Sequence, residues 1–161
     1  MTGKEYADLV AAYLVQNYGG KGLVVFREVS LGKSIIGKNR KIDILAMLGE
    51  RALGIECKYQ ATSGTADEKL PYTLNDLEAM HLPAFASYAG EGFSIGVIHM
   101  LKSHKLATYC HPPSDLSPGK TTVELGHVIA MTFGWWDLVL RQKQPFTLDE
   151  WIPPKPTQVS T

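Results

Sequence analysis

At 161 residues, with 45% apolar and 20% charged residues, the chain is long enough for one sizeable core and short for two. Its 16 basic and 16 acidic residues cancel, so global charge argues neither for nor against a polyanionic partner, and any electrostatic footprint has to be local. Two cysteines, Cys57 and Cys110, exclude a disulfide framework, no apolar run approaches the roughly 18 residues of a membrane span, and the N-terminus lacks a signal-peptide apolar core; the expectation is a soluble cytoplasmic protein.

In chain order, Gly3 to Tyr18 carries Tyr6, Leu9, Val10, Tyr13 and Leu14 at helical spacing, with Gly19-Gly20 as a stop, and predicts an amphipathic helix. Leu23 to Val29 predicts a strand. From Val29 to Ile42 there is no acidic residue, while Lys33, Lys38, Arg40 and Lys41 fall inside and Gly32, Gly37 and Asn39 make the stretch read as a basic loop. Two apolar strands follow, joined at Gly49-Glu50-Arg51 as an antiparallel hairpin. Beyond a polar stretch from Ala61 to Lys69, the spacing of Leu74, Leu77 and Ala84 predicts a helix from about Pro71 to Tyr88. Phe93 to Leu101 is a nearly unbroken apolar run of strand length, the prolines between His111 and Lys120 mark a loop, Val128 to Phe133 reads as a last strand and Trp135 to Gln142 as a short helix. The adjacent Trp135 and Trp136 point different ways, one to the core and one to the surface. Thr147 to Glu150 fits a capping box, and Pro153, Pro154 and Pro156 end regular structure. The expected organisation is one domain over residues 1–152 with a Pro-rich flexible tail at 153–161.

Three charged residues interrupt the apolar hairpin: Asp43, Glu56 and Lys58. Each costs several kcal/mol of desolvation (roughly, in an apolar strand) unless paired, hydrated or bound to a metal, so the three ask for one explanation. Period two puts Glu56 and Lys58 on one strand face, and a turn at Gly49-Glu50 brings Asp43 beside Glu56. Hydrolysing a phosphodiester needs hard oxygen ligands for Mg²⁺ and a group that orients or deprotonates water, a role the set can fill. A structural ion pair of Lys58 with one carboxylate accounts for two of the three residues and leaves the second acid unexplained.

An Asp closing a basic loop, a hairpin turn, and Glu-x-Lys ending an apolar strand together resemble the core of the PD-(D/E)XK nuclease superfamily, the restriction-endonuclease-like fold. Ile42-Asp43 stands where the family has Pro-Asp, so the proline is missing. The order of elements from the helix at Gly3 to the strand at Phe93 is also similar, so the resemblance covers about Gly3 to Leu101. It implies an α/β domain, a mixed central β-sheet flanked by helices, acting as a Mg²⁺-dependent DNA endonuclease in which Mn²⁺ substitutes. It also implies metal ligation by Asp43, Glu56 and the backbone carbonyl of Cys57, with Lys58 positioning water and offsetting transition-state charge.

Other residues carry two readings each. Glu5 matches the first-helix acid that several subfamilies direct at the site, and equally a helix-start acid favoured by the macrodipole. Gln60 shares the face of Glu56 and Lys58 and can touch water or phosphate, or merely solvate a strand end. Lys69 and Tyr72 line a cleft for a phosphate backbone or belong to a surface helix start. Lys33, Lys38, Arg40 and Lys41 are DNA contacts or a solvated loop.

Leu31-Gly-Lys-Ser34 imitates the end of a phosphate-binding loop, but Arg27 stands where that pattern needs Gly, so no nucleotide cofactor is expected. His99, His104, Cys110 and His111 fit no paired zinc spacing. The expected partners are DNA, which would make the protein nucleoid-associated, and a second copy of the chain in a homodimer or higher homo-oligomer, with no membrane. Homing, restriction and repair cleavage, a Holliday junction resolvase-like activity, and a non-catalytic DNA-binding module of the same fold all remain open to this sequence.

Overall fold

The computed structural model describes residues 1–155; residues 156–161 of the expected tail lie outside the described residues. Three consecutive strands form an antiparallel meander: β1 (Val24–Lys33), β2 (Asn39–Leu48) and β3 (Arg51–Tyr59). Residues of β1, at the edge of the sheet, alternate between exposed and half-buried. Gly49, at φ +58, makes the tight turn into β3, as its place between two apolar runs requires. A parallel strand, β4 (Ala84–Ala89), lies beside β3, and β5 (Ala107–Tyr109) beside β4, giving a mixed sheet in the order β1-β2-β3-β4-β5.

Helices cover both faces. On one, α1 (Gly3–Tyr18) lays Tyr6, Val10 and Leu14 against Ile44, Leu53, Ile55 and Phe85, and α4 (Val123–Phe133) adds Leu125, Ile129 and Phe133. On the other, α2 (Ala66–Glu78) packs Leu74 and Leu77 on Ile42, Leu45, Ala84 and Ala86, while Leu70 of α2 joins Tyr88, Phe93 and Leu101 of α3 (Ile95–Ser103). This helix–sheet–helix layering is what buries β3 and β4 on both sides. Trp135 stacks on Tyr18 at 5.8 Å, and Trp136, opening the short α5 (Trp136–Leu140), is exposed. Among the described residues, no helix is long and apolar enough to cross a membrane.

Several expected elements differ. The basic stretch from Val29 to Ile42 is mostly strand, because Val29 and Leu31 pack against the α2 cluster; only residues 34–38 connect β1 to β2. The helix expected over Pro71–Tyr88 is two elements. α2 starts earlier, at Ala66, with Pro71 in its second turn, and ends at Glu78; Ala84–Ala89 is β4. Alanine-rich strands hide behind helical spacing, since Leu74, Leu77 and Ala84 match a helix period across the break. The apolar run Phe93–Leu101 is helical from Ile95, nucleated by Ser94, whose hydroxyl accepts from the Val97 N–H at 3.4 Å, and Val128–Phe133 is the second half of α4. In both cases an apolar run of strand length turned out to be part of a helix, the ambiguity periodicity alone leaves. Thr147 opens a single 3-10 turn, Leu148–Glu150, without a side-chain cap bond.

The exit of β3 is tied to its neighbours by close backbone contact. Gly92 N donates to Gln60 O at 2.8 Å, and Gln60 N to Ala89 O at 3.2 Å. A Cβ at Gly90, where φ is +104, would lie 2.2 Å from the Gln60 carbonyl oxygen. Gly90→Ala is therefore expected to destabilise the fold by at least about 2 kcal/mol, through both a strained φ and a backbone clash. Urea denaturation of the variant reads this directly, and a stability equal to that of the parent protein would refute it.

Candidate active site

Strand alternation breaks midway along the β1–β2 ladder. Val25 packs on the α1 side of β1 and Val29 and Leu31 on the α2 side; on β2, Ile44 and Ala46 face α1 while Ile42 faces α2. Residues an even number apart should share a face, so both strands change hand between these positions. The changes fall at Glu28 and Asp43, which stand opposite each other between the ladder pairs Arg27↔Ile44 and Val29↔Ile42, and Glu28 takes a φ of +53. The β2–β3 ladder also stops here, at Ile44↔Ile55. One step beyond, a side chain replaces the backbone acceptor: Asp43 Oδ2 accepts from the Cys57 N–H at 2.8 Å.

Arg27 braces the break from β1. Its Nη1 donates to the Asp43 carbonyl, and its Nε donates at 2.9 Å to Oδ1 of Asp8 on α1. The α1 acid linked to this region is thus Asp8. Glu5 is engaged in the helix cap, its carboxylate accepting from Thr2 N at 2.6 Å while the Thr2 hydroxyl accepts from Glu5 N, and the cap lowers its pKa. Asp8 and Arg27 were missed in the sequence because an acid on a helix and an arginine on a strand carry no spacing signal between them.

On β3, Glu56 and Lys58 share the α2-side face, their side chains about three-quarters buried, with Lys58 Nζ donating to Glu56 Oε1 at 2.8 Å. Burial raises the Glu56 pKa above the usual carboxylate range; Lys58 opposes the shift and the charge of Asp43 adds to it. Cys57 turns its thiol to the α1 core, where burial holds it well above the ordinary thiol pKa, so its side chain is no thiolate ligand.

Glu56 opens into a cleft of about 210 Å³ between the β1–β2 hairpin and α2, whose walls include Lys38, Arg40, Lys41 and Tyr72. Tyr72 is partly exposed there, and Lys38 and Lys41 are exposed. Lys41 stands 4.0 Å from Glu28, an exposed pair worth little. Lys33, on β1, donates to Asn39 Oδ1 at 2.6 Å, and Lys69 is exposed on α2. Arg40 differs from the other basic residues. Its Nη2 and Nε grip Asp76 of α2 at 2.8 and 3.1 Å, with side chains only 11% and 14% exposed, so its guanidinium is spent inside the protein.

Gln60 is also spent. It is buried, its Nε2 donates to Asp67 Oδ1 at 3.0 Å and Gly92 O at 2.8 Å, and its Oε1 accepts from Ala66 N at 3.0 Å. These bonds staple the exit of β3 to the start of α2. Period two correctly put Gln60 on the face of Glu56; it could not show that α2 begins there and claims the amide. A larger cavity of about 670 Å³, lined by Tyr13, Tyr18, His127 and Leu138, lies on the α1–α4 side, apart from this set.

A five-stranded mixed sheet flanked by helices, with an Asp at the end of one ladder facing a Glu-x-Lys on the next strand, is the restriction-endonuclease-like arrangement. A family model described as a PD-(D/E)XK nuclease superfamily domain matches residues 2–136, and the chain belongs to that superfamily. No curated protein matches the chain. Among solved structures, one described as the protein of unknown function AF1548 is similar at 14% identity and a TM-score of 0.41, over 60% of this chain and 53% of that one, so the likeness spans about half of that protein.

Members of the superfamily generally use divalent metals. Among the described residues no group of three or more His, Cys, Asp or Glu side chains comes together to hold one. The donor set that fits is smaller: the two carboxylates of Asp43 and Glu56, which Mg²⁺ accepts when waters and a substrate oxygen complete its shell. That Asp43 helps to raise the Glu56 pKa is what two nearby carboxylates do without a cation between them.

The raised pKa fixes the sign of a pH effect. Folded Glu56 holds its proton more tightly than an unfolded Glu, so this group's contribution to cation-free stability is fully present below the unfolded pKa and is lost as pH rises through the folded pKa. Asp67 and Asp76, whose pKa values are lowered by hydrogen bonds from Ser94 and from Arg40, work in the opposite direction. The difference between parent protein and Glu56→Gln isolates the group. On acidification from neutral pH through the Glu56 pKa, the cation-free melting temperature of the parent should gain on that of the variant, and any rise conferred by Mg²⁺ should shrink. Parallel pH profiles for the two proteins, measured by thermal melting, would contradict the assignment.

Proposed function

We propose that the protein is a Mg²⁺-dependent DNA endonuclease, with Mn²⁺ able to substitute, and the observation that carries this reading is the convergence of Asp43, Glu56 and Lys58 where the β2–β3 ladder ends. Asp43 and Glu56, with the Cys57 carbonyl, would hold the cation. When bound, the cation polarises a phosphate oxygen and lowers the pKa of a water. Asp43 keeps its carboxylate in place by accepting from the Cys57 backbone N–H, which fixes its side chain without using a second side chain. Lys58, which a cation on Glu56 would release from its ion pair, would orient the attacking water and offset charge building on the phosphoryl oxygens. Lys38, Lys41, Lys69 and Tyr72 flank the path of the phosphate backbone, with Lys33 further along the hairpin. One such centre cuts one strand, so cutting both strands calls for a C₂ homodimer.

A second reading has an observation of its own. The 2.8 Å contact between Lys58 and Glu56 also suits a DNA-binding module that kept the fold without catalysis. Lys58→Ala separates the two. As a purely structural pair it should cost roughly 3 to 5 kcal/mol, since the partner carboxylate is left buried and unpaired. As the catalytic lysine it should leave a folded, DNA-binding protein whose single-turnover cleavage with Mg²⁺ falls about a hundredfold or more. Melting temperature, affinity and rate measured on the same variant decide, and undiminished cleavage in excess EDTA would overturn the metal-dependent reading altogether.

The basic residues should divide in the same way. Neutralising Lys38 and Lys41 together is expected to weaken DNA binding and lower the salt slope by about two phosphate contacts, with stability unchanged. Arg40→Ala is expected to cost roughly 3 kcal/mol of stability by stranding Asp76, with little change in the salt slope. Binding isotherms at several salt concentrations, beside urea denaturation, test the division; a slope that falls only in the Arg40 variant would reverse it.

A further inference from the structure

The tip of the β1–β2 hairpin breaks the local rules of turns. Gly37 N donates to Ser34 O at 2.9 Å and Ser34 N to Lys38 O at 2.8 Å, closing a tight turn in which Gly37 takes φ +75. The two central positions, where Asn, Asp, Ser or Pro are usual, are Ile35 and Ile36, exposed by 49% and 59%. β-Branched apolar side chains gain nothing from a turn and nothing from water, and such conflicts between local preference and position gather at functional sites. The tip is also held stiffly. Ile35 N donates at 2.9 Å to Oδ1 of Asp76, the carboxylate that Arg40 clamps, so α2 braces the two isoleucines from behind.

Its surroundings say what it meets. Lys33, Lys38 and Lys41 flank the tip, no acidic residue lies between Val29 and Ile42, and Ser34, Lys38 and Lys41 line the cleft into which Glu56 opens. Ser34 Oγ at the foot of the tip is buried without a hydrogen-bond partner, a polar group left over by the protein's own network. Apolar side chains between cations fit a nucleic acid duplex, in which phosphates flank stacked bases: the lysines take the backbone, and the apolar tip enters where a base step opens.

We propose that Ile35 and Ile36 form a wedge that unstacks a base step of duplex DNA several steps along from the phosphate presented to Asp43 and Glu56. The inference rests on the nuclease reading of that site and deepens it, because a wedge makes the substrate a duplex that is already weakened: mismatched, bulged or branched. Inserting apolar side chains costs unstacking energy, and a step that is open beforehand spares it.

The test uses the 161-residue chain in Ca²⁺, so that binding is read without cutting, on one paired duplex and the same duplex carrying a single-base bulge. The parent protein is expected to bind the bulged duplex about tenfold or more tightly than the paired one, and to brighten 2-aminopurine placed beside the bulge. Ile35→Ser/Ile36→Ser, exposed changes that should leave the melting temperature unchanged, is expected to reduce the preference to within about twofold and to remove the fluorescence change, while keeping the salt slope set by the lysines. Equal affinity of the parent for the two duplexes, or a variant that keeps the preference, overturns the wedge and leaves the nuclease reading standing. Failure to bind either duplex removes both. A variant that falls from dimer to monomer in sedimentation with its DNA preference intact reassigns the tip to self-association and overturns the wedge as well.

Discussion

At the end of the β2–β3 ladder a carboxylate does the work of a carbonyl. Beyond Ile44 and Ile55 the strands part, and the Cys57 N–H, which a backbone oxygen would otherwise accept, is taken by Asp43 Oδ2 at 2.8 Å. A buried N–H without an acceptor would cost about 1 to 3 kcal/mol, so the bond holds the sheet together at the point where it opens. The same bond fixes a negative charge close to Glu56. That charge adds to the burial that raises the Glu56 pKa, against the opposing Lys58 ion pair, and two carboxylates held near each other leave an excess of anionic oxygen that a divalent cation would relieve.

Two braces keep that point from relaxing. On one side Arg27 ties the Asp43 backbone to Asp8 of α1, at the position where both strands change face. On the other, Gln60 locks the end of β3 to the start of α2 through Asp67, Ala66 and Gly92, while Asp67 in turn accepts from the N–H of Ser94, the N-cap of α3. Between these braces Glu56 and Lys58 are mounted on a rigid strand, two residues apart and on one face, so their separation is set by backbone geometry. The Arg40–Asp76 pair does a similar service for the hairpin, fixing one wall of the cleft to α2. Polar groups that look functional in sequence thus split between those that face the cleft and those consumed in building it.

That split marks the limit of what could be read from sequence. The hairpin, the first helix and the convergence of Asp43 with Glu56 and Lys58 were legible, because charge in an apolar strand is costly and a tight Gly49 turn fixes which residues oppose each other. The bounds of α2 and the identities of β4 and α3 were not, since Ala84–Ala89 is too small-residue-rich to look like a strand and Phe93–Leu101 too uniformly apolar to look like a helix. Arg40 and Gln60 carried the right residue type in the right register, and their tertiary partners, Asp76 and the α2 start, lay on an element whose boundaries were misplaced. Ile35 and Ile36 carry no signal when that stretch is read as a basic loop; the exposed tip and its brace on Asp76 single them out.

If Asp43 and Glu56 form one cation site, loss of either carboxylate should weaken cation binding. Titrating Mn²⁺ into cation-free parent protein and Asp43→Asn, with bound ion followed by electron paramagnetic resonance, tests it most directly, because an amide oxygen at position 43 still accepts the Cys57 N–H and leaves the sheet intact. Saturable binding to the parent protein is expected, with an affinity weaker by about a hundredfold or more in a variant that melts normally. A folded Asp43→Asn protein that binds Mn²⁺ as tightly as the parent would contradict it.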